Sequence, residues 1–203
     1  MPRIAGSSLK KSEHTRQSLL DAALRVIAAK GYSSATVDEI VKEAGVSKGV
    51  AYYHFKSKAQ MASDILEKGI ADLIAAFGRI VEDTQSATDA LNDMLDLYAA
   101  KLYDNQEFAR FFMTELWRDG RIWSKDLRKH MKTLLLIVAD QLKRGQVEGT
   151  IRADIDPEFG AVSIIGTAIT DAVYYAGIEG SEPLIDKQAF VARIRDFSHH
   201  SLT

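Results

Sequence analysis

The chain contains no cysteine, which excludes disulfides and thiolate metal sites. Proline is almost missing. Pro2, Pro157 and Pro183 are the three present, and all sit at the edges of predicted helices, so long helices can run uninterrupted. Long apolar runs are also lacking. The longest, such as Leu134 to Ala139, are far too short to span a bilayer. The start, Met1-Pro2-Arg3-Ile4, lacks the apolar centre of a signal peptide. A cytoplasmic protein with no membrane partner is expected. Strict period-two alternation is scarce, which argues against strands. No Gly-rich phosphate loop, nucleophile elbow, His pair at i,i+4 or Cys/His cluster occurs. Neither an enzyme, a cofactor nor a metal site is expected. Glu115 and Asp119 lie four apart, as many solvated carboxylates do, and His199-His200 stand without neighbouring ligand residues.

What remains is an ordinary globular composition. Of 203 residues, 46% are hydrophobic and 27% charged, enough apolar material to fill one core or two small ones. The net charge of −2 hides an asymmetry. Residues 1–58 hold ten Lys/Arg against five acids, a balance of +5, so the rest carries −7. A basic end on an acidic body suits a polyanion at one end only.

Apolar residues recur at helical spacing throughout. A first helix is predicted from Ser12 to Lys30, with Leu19, Leu20, Ala23, Val26 and Ile27 on one face and Gly31 as its stop. A second runs from Thr36 to Ala44, where Thr36 and Glu39 form a capping box. Gly45 breaks the chain, and Ser47 caps a short third helix ending near His54. Ser57 with Gln60 opens a fourth, reaching about Asp83. Later helices are predicted over Thr88–Tyr103, Gln106–Asp119, Ser124–Gln146 (closed by Gly145 and Gly149), Pro157–Ala176 and Asp186–His199. The expected fold is all-α, about nine helices. Residues 1–56 are expected to pack as a three-helix unit containing a helix-turn-helix, and residues 57–203 as a larger helical body.

Two short helices around a Gly-containing turn make a DNA-reading unit. The second is too short to stand alone, so it must lean on its neighbours and point its polar groups outward. Ser47 and the free N–H groups beside it suit a phosphate, as does Thr36. Lys48 can bond a guanine edge or a phosphate. Gly49 costs about 1 kcal/mol against Ala inside a helix, and its missing side chain allows close approach to a groove. Tyr53 and His54 can reach phosphates or bases. Lys58 can hold a phosphate from the start of the fourth helix.

At these residues the chain resembles the TetR family of transcriptional regulators. The matching run is Thr36 to Met61, above all Gly45-Val46-Ser47, Gly49, Tyr52-Tyr53-His54-Phe55 and Lys58. Thr15-Arg16, Ala22-Ala23 and Gly31-Tyr32 fit as well. The likeness is clear over residues 12–70 and weaker through Gly145 to Pro157. Val50 stands where a Ser or Thr is common, Ala51 replaces a larger aliphatic residue, and Ala59 replaces an acid. The resemblance implies a homodimer joined through the last two helices of each subunit. It also implies double-stranded DNA with a palindromic operator as partner. A small-molecule effector in the body would move the fourth helix and release the operator, the action of a repressor.

For the dimer contact, Ala161, Ile164, Ile165, Ala168, Ile169, Ala172, Phe190 and Ile194 are the expected apolar residues, with Gly166 allowing close approach. For the effector, residues 94–131 are rich in large apolar groups. Tyr98, Phe108, Phe112, Trp117 and Trp123 are the expected lining of a pocket for an apolar or planar ligand. Arg118, His130 and Asp171 are candidates for orienting it. The fourth helix would present Leu66, Ile70, Leu73, Ile74, Phe77 and Ile80 to the body. A non-switching DNA-binding protein and a helical protein-interaction module are the alternative readings.

Overall fold

The computed structural model describes residues 5–117, 124–176 and 182–203, apart from the side chains of 5–10, 116 and 117. Among these residues every regular element is a helix. In chain order they are α1 (Ala5–Lys30), α2 (Val37–Glu43), α3 (Lys48–His54), α4 (Lys58–Asp83), α5 (Ala87–Asp104), α6 (Gln106–Trp117), α7 (Lys125–Glu148), α8 (Pro157–Tyr175) and α9 (Lys187–Leu202). None is long and apolar enough to cross a membrane.

Five of the helix starts each follow from one side chain. Ser57, Ser86, Ser124, Asp156 and Asp186 accept the backbone N–H of Gln60, Asp89, Leu127, Phe159 and Ala189. These N–H groups have no partner inside their own helix, so each cap contributes about 1 kcal/mol. At the other end of α7, Gly149 takes the left-handed conformation at φ +74, which costs glycine nothing. Gly145 plays a different part from the stop expected of it. It lies inside α7, where a Cβ would come within 2.5 Å of Ile151 Cδ1. It is a packing glycine that lets the returning chain lie on the helix. The first helix also begins earlier than expected, at Ala5 rather than Ser12.

The three N-terminal helices close around Leu19, Ala23, Ile40, Ala51 and Phe55, all buried. This core is continuous with that of the body. Helix α7 packs against α4, α5 and α8, α9 lies on α5, and α6 bridges α1 and α8. Leu66, Ile70, Leu73 and Phe77 of α4 are buried, and Ile74 and Ile80 pack on the core at its edge.

Helix α8 corrects the expected dimer contact. Ala161, Ile164, Ile165, Ala168, Ile169 and Ala172, with Phe190 and Ile194 of α9, are all buried inside the single chain. The outward stripe is instead Phe159, Val162, Gly166 and Tyr174, beside Phe197 of α9. The reason is that α8 is apolar on both sides, so its most hydrophobic face was already taken by the chain's own core.

Candidate nucleic-acid interface and ligand cleft

Helix α2 is fixed by a reciprocal cap. Glu39 N donates to Thr36 Oγ1 at 3.2 Å, and Thr36 N donates to Glu39 Oε2 at 3.0 Å. Lys30 Nζ adds a bond to Glu39 Oε1 at 2.5 Å. The Lys30 ammonium, followed by the Thr36 amide and hydroxyl, draws the Glu39 carboxyl from its ordinary 4.5 down to about 2. Gly45, at φ +67, then turns the chain. Ser47 accepts from Val50 N at 3.4 Å and starts α3. Arg25–Glu43 (2.8 Å) and Lys48–Asp38 (2.7 Å) tie α2 to its neighbours. The Asp38 carboxylate raises the pKa of the Lys48 ammonium, favouring its charged form.

The result is a sharply two-sided α3. Ala51 is fully buried, which explains why no larger aliphatic residue stands there: α3 lies close on α1 and α2. Ser47, Lys48, Gly49 and Tyr53 all face outward, with Tyr53 81% exposed. A Cβ at Gly49 would meet only Ser47 Oγ, at 3.9 Å. The chain's own packing therefore does not require a glycine there, and the free space lies outside. His54 is half-buried and meets the Tyr53 ring edge-on at 5.1 Å. Thr36, the N-cap of α2, is exposed as well. Sequence reasoning passed over Tyr52, which is 53% exposed; its place in the Tyr52-Tyr53-His54-Phe55 block was the available signal.

Lys58, expected at a phosphate, is engaged within the chain. Its ammonium donates to Ala35 O at 2.6 Å and to Tyr32 O, and sits 4.4 Å from the centre of the Tyr32 ring. Loop carbonyls and an aromatic face both attract a cation. The start of α4 is thereby fastened to the α1–α2 loop. Further along, Arg16 of α1 pairs with Asp64, and Lys68 Nζ donates to Gln17 Oε1 at 2.6 Å. At Asp64 burial outweighs the guanidinium, and the carboxyl is raised.

In the body, a cleft of about 460 Å³ opens between α4, α5 and α6. Tyr98 and Phe108 line it, together with Gly69, Asp72, Leu73 and Lys101. Behind it lies a small void of about 10 Å³, walled by Tyr98, Phe108, Phe112, Met131 and Ile165. Phe108 and Phe112 stack at 6.1 Å with rings 8° apart. Tyr98 OH donates to Ile165 O over a long 3.4 Å, and burial raises the phenol's pKa. The structure thus brings together three of the five expected lining residues. The Trp117 side chain and all of Trp123 and Arg118 lie outside the described residues.

Other candidates go elsewhere. His130 and Asp171 line none of the clefts described above, and Tyr103 donates to Ile185 O at 2.7 Å to pin the chain before α9. His199 and His200 are exposed. The expected list also missed Gly69. Its signal was thermodynamic: a glycine inside a long helix costs about 1 kcal/mol and so needs a packing reason.

Comparison with known proteins follows this division. The family model for bacterial regulatory proteins of the tetR family matches residues 19–65. The model for a tetracyclin repressor-like C-terminal domain matches residues 88–173. The HTH-type transcriptional regulator SrpR of Pseudomonas putida is 41% identical over 63 residues, 31% of this chain and 30% of that protein. The likeness to SrpR thus spans less than a third of its length. The fatty acid metabolism regulator protein of Bacillus subtilis strain 168 is 24% identical over 78% of this chain and 82% of its own. The crystal structure of the transcriptional regulator FadR from Bacillus subtilis with stearoyl-CoA aligns at a TM-score of 0.77 and 21% identity, covering 92% of this chain and 99% of that one. With both of its parts matched by that family's models, the chain belongs to the TetR family of transcriptional regulators.

Proposed function

We propose that this protein is a repressor that binds a palindromic operator as a homodimer and is released by a small apolar or aromatic effector. The observation that carries the reading is the position of α4. Its first residue is fastened to the helix-turn-helix through Lys58, and its middle, at Gly69, forms one wall of the cleft. A molecule in the cleft therefore touches the same rigid helix that holds the reading head. Residues 1–56 act as the head and 57–203 as the effector-binding and dimerisation body.

In this reading Ser47, Lys48, Gly49, Tyr53 and His54 face the groove, with Thr36 at a phosphate. Lys58 acts through the loop it holds. The stripe of Phe159, Val162, Gly166, Tyr174 and Phe197 meets its own copy across a two-fold axis. Gly166 has open space around it, so a second helix can approach closely. Support for an apolar effector comes from the aromatic lining and from FadR of Bacillus subtilis, whose structure holds stearoyl-CoA.

The test is selection of bound fragments from the genome of the source organism, followed by light scattering and footprinting on the recovered site. The expected result is a dimer on an inverted repeat with half-sites about one helical turn apart or a multiple of it. Tight binding to one non-repeated site by a monomer would overturn the reading. So would retention of the operator at every concentration of an effector shown to bind.

A further inference from the structure

We propose that Phe108 is a gate on the effector cleft: its ring rests in a notch that Gly69 leaves in α4, and an apolar effector enters by lifting it, parting α4 from α6. This inference rests on the effector reading above and assigns it a moving part. A Cβ at Gly69 would stand 2.5 Å from both Cε2 and Cζ of Phe108. The ring thus lies directly on the α4 backbone, in a space that any other residue would fill.

Phe108 is also where three spaces meet. It borders the open cleft, the small inner void, and a hollow of about 190 Å³ that reaches Gln17 and Leu20 of α1. The inner void is closed at its present 10 Å³, too small for a ligand. Leu73, Tyr98 and Phe108 are shared by cleft and void. Swinging the Phe108 ring away joins the two into one channel. The ring is held by stacking on Phe112 and by the notch, and it is half-buried. Lifting the ring lets α4 and α6 part without unfolding either helix.

The channel's walls define its ligand. Ile70, Phe112, Met131, Leu134, Ile165 and Ile169 surround the inner end, which suits a narrow apolar group. The Tyr98 hydroxyl gives its one O–H to Ile165 O over a long bond, and its oxygen can accept at the border. Lys101, Asp72 and Asn105 stand at the mouth. The effector is accordingly an elongated molecule with an apolar end inside and a polar end at the rim. Lifting the ring also disturbs the hollow where α1, α4 and α6 meet, beside the Lys68–Gln17 bond.

The experiment uses the full chain and Nile red, an uncharged dye that brightens in apolar surroundings, in equilibrium and stopped-flow titrations. The variants are Phe108→Ala, Gly69→Ala and Phe108→Ala with Ile169→Phe, each checked for helicity by circular dichroism. In the unaltered protein, ring motion limits entry, so the association rate levels off with dye concentration. In Phe108→Ala and Gly69→Ala the rate rises linearly, and affinity increases by about tenfold. Filling the inner end with Ile169→Phe cancels that gain. If the unaltered protein and both single variants show the same linear kinetics and affinity, the gate is refuted while the cleft stands as effector site. If the filled variant keeps the gain, the dye is elsewhere and the gate is again refuted. If no form binds dye in the cleft, the effector reading falls with it. Should Gly69→Ala not fold, Phe108→Ala and the filled variant decide alone.

Discussion

Two surfaces of this protein expose large aromatic side chains, and they are built for different partners. On α3, Tyr52 and Tyr53 are 53% and 81% exposed, next to Lys48, the Ser47 hydroxyl and the start of a helix. On α8 and α9, Phe159 and Phe197 are 72% and 60% exposed, but their neighbours are Val162, Gly166 and Tyr174. Helix α8 has no basic residue along its length. The first surface offers hydroxyls, a cation and unpaired N–H groups, the donors that phosphates and base edges accept. The second offers mainly apolar area, edged by the hydroxyls of Ser163, Thr167 and Ser201, which suits another largely apolar surface. Exposure alone says that a ring awaits a partner; the atoms around it say which.

The contrast can be broken most forcefully on the apolar side. Val162→Glu with Phe197→Glu should convert dimer to monomer in light scattering. Operator affinity should fall by about a hundredfold, ~2.8 kcal/mol, because one head must then bind alone. The slope of affinity against salt per head should be unchanged. A double variant that stays dimeric would remove α8 and α9 from the interface.

On the polar side, Lys48→Ala should cost about 1–3 kcal/mol and relax the preference at one base pair. Mutating Lys48 should leave the proposed dimer intact, so the two surfaces would separate in one pair of measurements. Equal loss on all sequences would make Lys48 a phosphate contact instead.

Lys58 sharpens the comparison, since its charge is spent inside the protein. Lys58→Met should lower stability in urea unfolding by about 1–3 kcal/mol, the worth of charge-assisted hydrogen bonds. Operator binding should weaken with no change in salt slope. A slope reduced by about one unit would return Lys58 to the phosphate role.

The smallest effect lies at Glu39. An NMR titration should place its carboxyl near 2, and Lys30→Met should move it back toward 4.5. Because the folded value is the lower one, the carboxylate stabilises the fold above its ordinary range. That contribution disappears as pH falls from about 4.5 toward about 2. An unshifted midpoint in the variant would mean that Thr36 alone holds Glu39.

The head was largely legible in the sequence because its design is local. Thr36 with Glu39, Gly45, and Ser47 specify a cap, a turn and a second cap within a dozen residues, and the structure forms each of them. The body was legible in its helices and less so in its surfaces. Helix α8 could be placed by Asp156 and Pro157, yet its two apolar faces look alike until the rest of the chain covers one. The internal contacts of Lys58 were hidden for a related reason. A lysine at a helix start looks solvated in sequence, and only the fold brings the carbonyls of Tyr32 and Ala35 beneath it. Tyr98, Phe108 and Phe112 were found because aromatic residues are conspicuous. Gly69 was not, because what matters there is an empty place.

Helix α4 also sets a scale for the switch. Gly69 is eleven residues from Lys58, a lever of about 16 Å at ~1.5 Å per residue. A tilt of about ten degrees around Gly69 would sweep the Lys58 end through ~3 Å on that geometry. In the proposed two-fold dimer both heads would swing, and their separation would change by up to about 6 Å against a groove repeat of ~34 Å. In the proposed dimer, a tilt of about ten degrees would thus be worth the width of a minor groove at the operator, roughly 6 Å.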